Sequence, residues 1–127
     1  MKIEINRLVK KHRGGCVIYS LASIFGENPK EIAKKLGVGL DYSFLEDELK
    51  FLEKYLPVKV AKKFDEKGVK NDLQLRKASV VLFDWHAYVI YGYDGDEFLL
   101  YDPSGRELKK KKLELKKICK YTIRSLM

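Results

Sequence analysis

From residue 16 to residue 25 the chain reads CVIYSLASIF, apolar on nearly every side of a helical repeat. Such a segment predicts a helix buried all round and stopped by Gly26. Asn28-Pro29-Lys30-Glu31 then supplies a capping residue, a proline at the first helical position and a glutamate at capping-box spacing. The pattern predicts a second helix to Leu36, ended by Gly37. Ser43-Phe44-Leu45-Glu46 repeats the capping-box spacing, and Phe44, Leu45, Leu49, Leu52 and Leu56 continue as a helical stripe up to Pro57.

After Pro57 the period changes. Val58-Lys59-Val60-Ala61 alternates and predicts a short strand, and Asp65-Glu66-Lys67-Gly68 predicts a turn. Leu73 and Leu75 begin or flank a further element. Residues 79–83, SVVLF, read as a buried strand. Residues 86–93 and 97–101 flank Asp94-Gly95, a strong hairpin signal, and both are apolar on both faces, as central strands are. The charge run Lys109 to Lys112 predicts a solvated turn. The tail from Leu113 predicts a helical turn and a last strand near 121–123. Helices first and an antiparallel sheet afterwards is an α+β order, and 127 residues are enough for one domain over 1–127.

Composition narrows the class. Apolar residues make up 46% and charged residues 35%, a globular balance rather than a disordered one. No apolar run is long enough to span a bilayer, and MKIEINRLVKK lacks the apolar core of a secretory signal. A cytoplasmic protein without a membrane partner is the expectation. The net charge of +8 invites a nucleic-acid reading, but Lys is spread along the chain and mixed with Glu, which fits a heavily charged surface better. The two cysteines, Cys16 and Cys119, are too few for a disulfide scaffold. Neither has a His or Cys at metal-ligand spacing, so no metal or other cofactor is expected.

Three residues could carry chemistry. Cys16 follows Gly14-Gly15 and opens the buried helix, where partial positive charge and free backbone N–H groups favour a thiolate and can donate to an oxyanion. Its plain alternative is a small buried hydrophobe. His86 opens a hairpin strand after Asp84 and Trp85 break the previous one; the alternative is a structural histidine. His12 also lies near Cys16, but a base only four residues before a helix-start cysteine needs an awkward turn. Asp102 ends the next strand in Tyr101-Asp102-Pro103-Ser104-Gly105, either as an ordinary turn-former or as the group orienting His86. Strand parity separates these readings. A three-residue loop over 93–95, with Gly95 at positive φ, puts His86 opposite Asp102; a two-residue loop without a bulge puts them on opposite faces. Gly14, Gly15 and Trp85 flank the nucleophile and the base and are candidates for lining a substrate groove.

The order of a helix-opening Cys followed by His and Asp on adjacent late strands resembles the papain-like cysteine peptidases. Within them the chain is most similar to the double-glycine leader peptidase domain at the front of bacteriocin ABC exporters. The resemblance rests on Cys16 to Gly26, on Glu31 to Gly37, and above all on His86-Ala-Tyr-Val-Ile-Tyr-Gly-Tyr-Asp-Gly-Asp-Glu-Phe-Leu-Leu-Tyr-Asp102-Pro103. It implies a papain-like fold, with Cys16 as nucleophile, His86 as general base and acid, and Asp102 as orienting residue. It also implies a peptide substrate cut after a glycine pair in a narrow groove. Two positions depart from the family. Its oxyanion-donating Gln, six residues before the Cys, is Lys10 here, and its Gly after the Cys is Val17. Lys10 and His12 are the candidate replacements; loss of one oxyanion donor costs about 10²–10³ in rate. The alternatives are a peptide-binding module that has lost catalysis, or a basic nucleic-acid-binding domain led by Lys109–Lys112 and the tyrosines.

Overall fold

The computed structural model describes residues 1–127. Its helices are α1 (Cys16–Phe25), α2 (Pro29–Leu36), α3 (Leu52–Tyr55), α4 (Glu66–Gln74) and α5 (Lys112–Ile118), with a 3-10 helix (Glu46–Phe51) running into α3. Its strands are β1 (Val58–Lys62), β2 (Ser79–Phe83), β3 (His86–Asp94), β4 (Glu97–Asp102), β5 (Arg106–Lys111) and β6 (Tyr121–Ser125). All six form one antiparallel sheet in the order β1-β6-β2-β3-β4-β5. The expected α+β, papain-like architecture is the one found.

The core divides into two clusters. In one, Val17, Ile18, Leu21 and Ala22 of α1 pack with Ile32, Leu52, Val58, Val60, Val80 and Ile123. In the other, α4 and α5 bring Val69, Leu73 and Leu115 together with Val81, Tyr88, Ile90, Phe98 and Leu100. A residue such as Ile18 or Leu100, removed completely from water, stabilises the fold by about 1.5–3 kcal/mol. The first two helices end as expected, with Gly26 at φ 65° and Gly37 at φ 70°; Asn28 caps α2 by accepting from the Lys30 N–H at 2.9 Å.

Three local expectations are corrected. The capping box at Ser43 does not form: Leu45 is the cap, its N–H donates to Glu48 Oε1 at 2.8 Å, and the first turns are 3-10 rather than α. The apolar stripe is the same, but Tyr42 draws Glu48 into register through a 2.6 Å hydrogen bond. Asp65-Glu66-Lys67-Gly68 is not a turn but the start of α4, with Asp65 accepting from the Gly68 N–H at 3.0 Å. Leu73 lies on that helix. Lys109 to Lys112 is not a solvated turn either: it ends β5 and opens α5. Consecutive lysines on an edge strand oppose pairing with another chain.

The hairpin between β3 and β4 has a two-residue loop, Gly95-Asp96, with Asp94 facing Glu97. Gly95 does take a positive φ, 63°. The odd residue that parity demands is supplied elsewhere, by a bulge at Tyr91 between Ile90 and Gly92. The chain start explains its place. Ile3 N–H donates to Tyr91 O and Tyr93 N–H to Met1 O, both at 2.8 Å, so residues 1–3 pair beside β3 where β2 has ended. A side chain at Gly92 would collide with Met1 and Lys2.

Candidate active site

The buried face of α1 packs on β3 and β2, and its first residue, Cys16, is half-exposed at the helix start. Gly15, at φ 78° and ψ 7°, is the N-cap and offers no side chain, so the first-turn N–H groups are uncapped at the thiol. Sequence reasoning left room above Gly14 and Gly15 for a substrate. The structure puts the chain's own backbone there: Leu40 O and Asp41 O pass where side chains at these positions would sit, and Gly15 N–H donates to Tyr42 O at 3.2 Å. Both glycines are required by this crossing and by their left-handed φ values.

β3 starts at His86, opposite Phe83. The turn before it consists of Asp84 (φ 50°) and Trp85 (φ 63°), both left-handed. Hairpins adopt this geometry for its twist, but they usually place Asn or Gly there. For residues with a Cβ it costs about 1–2 kcal/mol each. Trp85 is 95% exposed, so no packing offsets that strain.

Asp102 ends β4 with 0% exposure. Because of the bulge, Val89 faces Tyr101, the last pair of the ladder, and the same register extended by one residue sets Tyr88 level with Asp102. His86, two residues before Tyr88, therefore lies on the same face as Asp102 as its diagonal neighbour. The two are not hydrogen-bonded. Asp102 Oδ1 accepts from the Ser104 N–H at 2.9 Å and Oδ2 from Arg106 Nη2 at 3.0 Å, while His86 Nδ1 is buried without a partner. Burial pushes the Asp102 carboxyl up. Hydrogen bonds from Ser104 and Arg106 and the nearby His86 charge outweigh it and hold the carboxyl below its usual range.

Tyr88 joins the three candidates. Its ring centroid is 6.0 Å from that of His86, and it stacks on Phe83 at 4.3 Å. Burial raises its phenol, and the charges of Asp102, Asp84 and Cys16 raise it further. One phenol thus lies within electrostatic reach of both Asp102 and Cys16. Sequence reasoning passed over Tyr88, although its spacing of two from His86 on a strand places it on the same face. It also missed Arg106, whose signal was its spacing of four from Asp102 across a Ser-Gly turn.

The candidate oxyanion donors bond to neighbouring groups of their own N-terminal segment and α1. Lys10 is placed by its backbone N–H, which donates to Pro103 O at 2.9 Å, next to the Asp102 turn. Its Nζ donates to His12 O at 3.1 Å. His12 Nε2 shares a 3.3 Å hydrogen bond with the Tyr19 hydroxyl, and Nδ1 lies 3.2 Å from Arg13 O. Tyr101, whose hydroxyl donates to Leu8 O at 2.8 Å, and the Arg7–Glu107 ion pair hold this N-terminal segment across β4 and β5. Cys119 is far less suited to chemistry: burial pushes its thiol up, and Sγ donates to Tyr121 O at 3.2 Å. No three His, Cys, Asp or Glu side chains gather as a metal site, and no helix is long and apolar enough to cross a membrane.

No protein-family model matches the chain, and no curated protein sequence matches it. Among solved structures it is similar to a double glycine motif protease from an AMS/PCAT transporter, crystallised in complex with the leader peptide. The superposition covers 97% of this chain and 91% of that one, with a TM-score of 0.66 at 16% sequence identity. The chain shares the fold of that protease.

Proposed function

We propose that the protein is a thiol hydrolase of peptides, with Cys16 as nucleophile, His86 as general base and acid, and Asp102 as the charge that favours imidazolium. The single observation carrying this reading is the bulge at Tyr91. It restores the parity that a two-residue loop would have broken and turns His86 to the face of the buried Asp102, on a fold shared with a double glycine motif protease. In the reaction the Cys16 thiolate adds to the scissile carbonyl, and His86 passes its proton to the leaving amine. Water, deprotonated by the same imidazole, then releases the acyl group. Asp102 acts on His86 through its field rather than through a hydrogen bond. The neighbour's complex with a leader peptide makes a peptide with an internal glycine pair, cut after it, the first substrate to try.

The test is a trap. A short peptide aldehyde ending in Gly-Gly should form a hemithioacetal with Cys16, seen as a one-to-one adduct that Cys16→Ala and His86→Ala lose. An adduct that ignores His86, or none at all, contradicts the hydrolase reading.

A second reading, a peptide-binding module without turnover, is favoured by one observation: Asp102 is engaged by Arg106 while His86 Nδ1 has no partner. It predicts peptide binding without an adduct. Two features weigh against the nucleic-acid reading. Tyr88, Tyr91 and Tyr101 are buried and present no stacking surface, and Lys110 and Lys112 are paired with Glu114 and Glu66.

A further inference from the structure

The end of the sheet that carries His86 also carries a cleft unused by the chemistry above. Along that end Ala87 faces Leu82, Leu82 faces Tyr121, and Tyr121 faces Lys62. The end of β1 and the start of β6 are therefore level with the start of β3. Here a cleft of about 360 Å³ is lined by Lys62, Lys63, Lys116, Lys117 and Lys120, together with Glu46, Cys119 and Tyr121. The five lysines come from two distant stretches of sequence that only the fold unites.

Lys116 pairs with Glu66 at 3.2 Å. Lys62, Lys63, Lys117 and Lys120 make no ion pair. Lys116 and Lys117 have an ordinary explanation, since cations suit the C-terminal end of α5. Lys62, Lys63 and Lys120 stand outside any helix and have none. Lys63 is moreover left-handed, φ 65°, an unfavourable state for a residue with a Cβ. It is pinned there: its N–H donates to Lys120 O at 2.8 Å, and Thr122 Oγ1 donates to its carbonyl at 2.7 Å. Like charges fixed together repel one another, and an anion relieves that repulsion.

We infer that this cleft receives acidic side chains of the peptide substrate, three to five residues from the bond that Cys16 attacks. The inference rests on the peptide reading above. Neighbouring strands are about 4.8 Å apart, so β6 and β1 lie about 10 and 14 Å from β3, a span an extended peptide covers at about 3.3 Å per residue. Carboxylates fit better than phosphates. Lysine is a point charge that meets a carboxylate from many directions, whereas the cleft contains no arginine fork and one aromatic ring, Tyr121.

The test uses Cys16→Ala protein and two labelled peptides sharing a central Gly-Gly, one with a Glu pair four residues from it and one with Gln in those places. Binding is read by fluorescence anisotropy in salt of about 150 mM, where long-range charge effects are screened. The Glu peptide should bind about tenfold tighter, as expected from several surface charge contacts acting together. Adding Lys62→Gln, Lys117→Gln and Lys120→Gln should erase that difference. The charge-matched set Lys30→Gln, Lys34→Gln and Lys67→Gln should leave it within about twofold. Equal binding of the two peptides overturns the cleft assignment and leaves the peptide reading standing. Binding of neither peptide overturns both. Equal loss in the two lysine sets reduces the effect to net charge and overturns the assignment. So does inorganic tripolyphosphate binding the cleft more tightly than the Glu peptide, which makes it a phosphate site.

Discussion

Two aspartates are buried in this protein, and they are held in opposite ways. Asp72 accepts from Arg124 Nε at 2.8 Å and Nη2 at 3.0 Å, with the Ser79 hydroxyl at 3.3 Å; the same arginine also meets Asp65. Arg124 is itself mostly buried, so the fork-to-fork pair ties α4 to β6 with its polar atoms satisfied. Asp102 takes one backbone N–H and one N–H from Arg106, whose side chain is 71% exposed, and beside it an imidazole nitrogen is unpaired. A closed pair is a fastening. An open one, with an exposed partner and an unpaired neighbour, is where proton positions can change without unfolding the chain.

The comparison breaks most directly at Asp72. Asp72→Ala leaves Arg124 only Asp65 as an ionic partner and should cost about 3 kcal/mol in urea unfolding, the lower end for a broken buried pair. Cys16 reactivity in the fraction that stays folded should be unchanged. A loss below 1 kcal/mol would mean that the pair is no fastening.

Asp102→Asn keeps shape and most hydrogen bonding, and should cost about 1–2 kcal/mol. Its signature lies in pH. The folded carboxyl is held below its ordinary value of 3.8, so its stabilisation is complete above that value and is lost as pH falls through the lower, folded one. The variant should therefore lose less stability than the parent on acidification below pH about 4. Equal slopes would contradict the depressed carboxyl.

Trp85→Gly removes a left-handed, solvent-exposed side chain and should raise the urea midpoint, by about 1 kcal/mol of stability. If Trp85 lines the peptide groove, the same variant binds peptide more weakly; unchanged binding would make the turn a strain without a use. The smallest effect belongs to Arg106→Gln, under about 1 kcal/mol, because the Gln amide can still donate an N–H to the buried Asp102 carboxylate in place of the guanidinium.

The apolar patterns made the main elements legible. The all-apolar α1 and the two-faced β3 and β4 left few other solutions, and the Gly caps marked the helix ends. Features set by contacts distant in sequence were not legible. The Tyr91 bulge depends on residues 1–3 pairing beside β3, a contact about ninety residues long in sequence that no local pattern encodes. The glycines before Cys16 looked like a substrate approach because the crossing of residues 40–42 cannot be read from composition. Lys109–Lys112 looked like a turn because an edge strand needs only one apolar face, and Leu108 was its one cue. Of the candidate site, the three residue types and their order were readable; the Arg106 pairing of Asp102, which decides what His86 can bond to, was not.

The central claim is that His86 activates Cys16. It is tested by the rate of iodoacetamide modification of each thiol between pH 5 and 9, in the parent and in His86→Ala. Burial alone slows Cys119, so the histidine dependence is decisive. The account predicts Cys16 modified at least about tenfold faster than Cys119 near pH 7, with reactivity persisting below the ordinary thiol range of about pH 8.5 and lost in His86→Ala. A Cys16 rate that follows an ordinary thiol titration and is the same with and without His86 would contradict it.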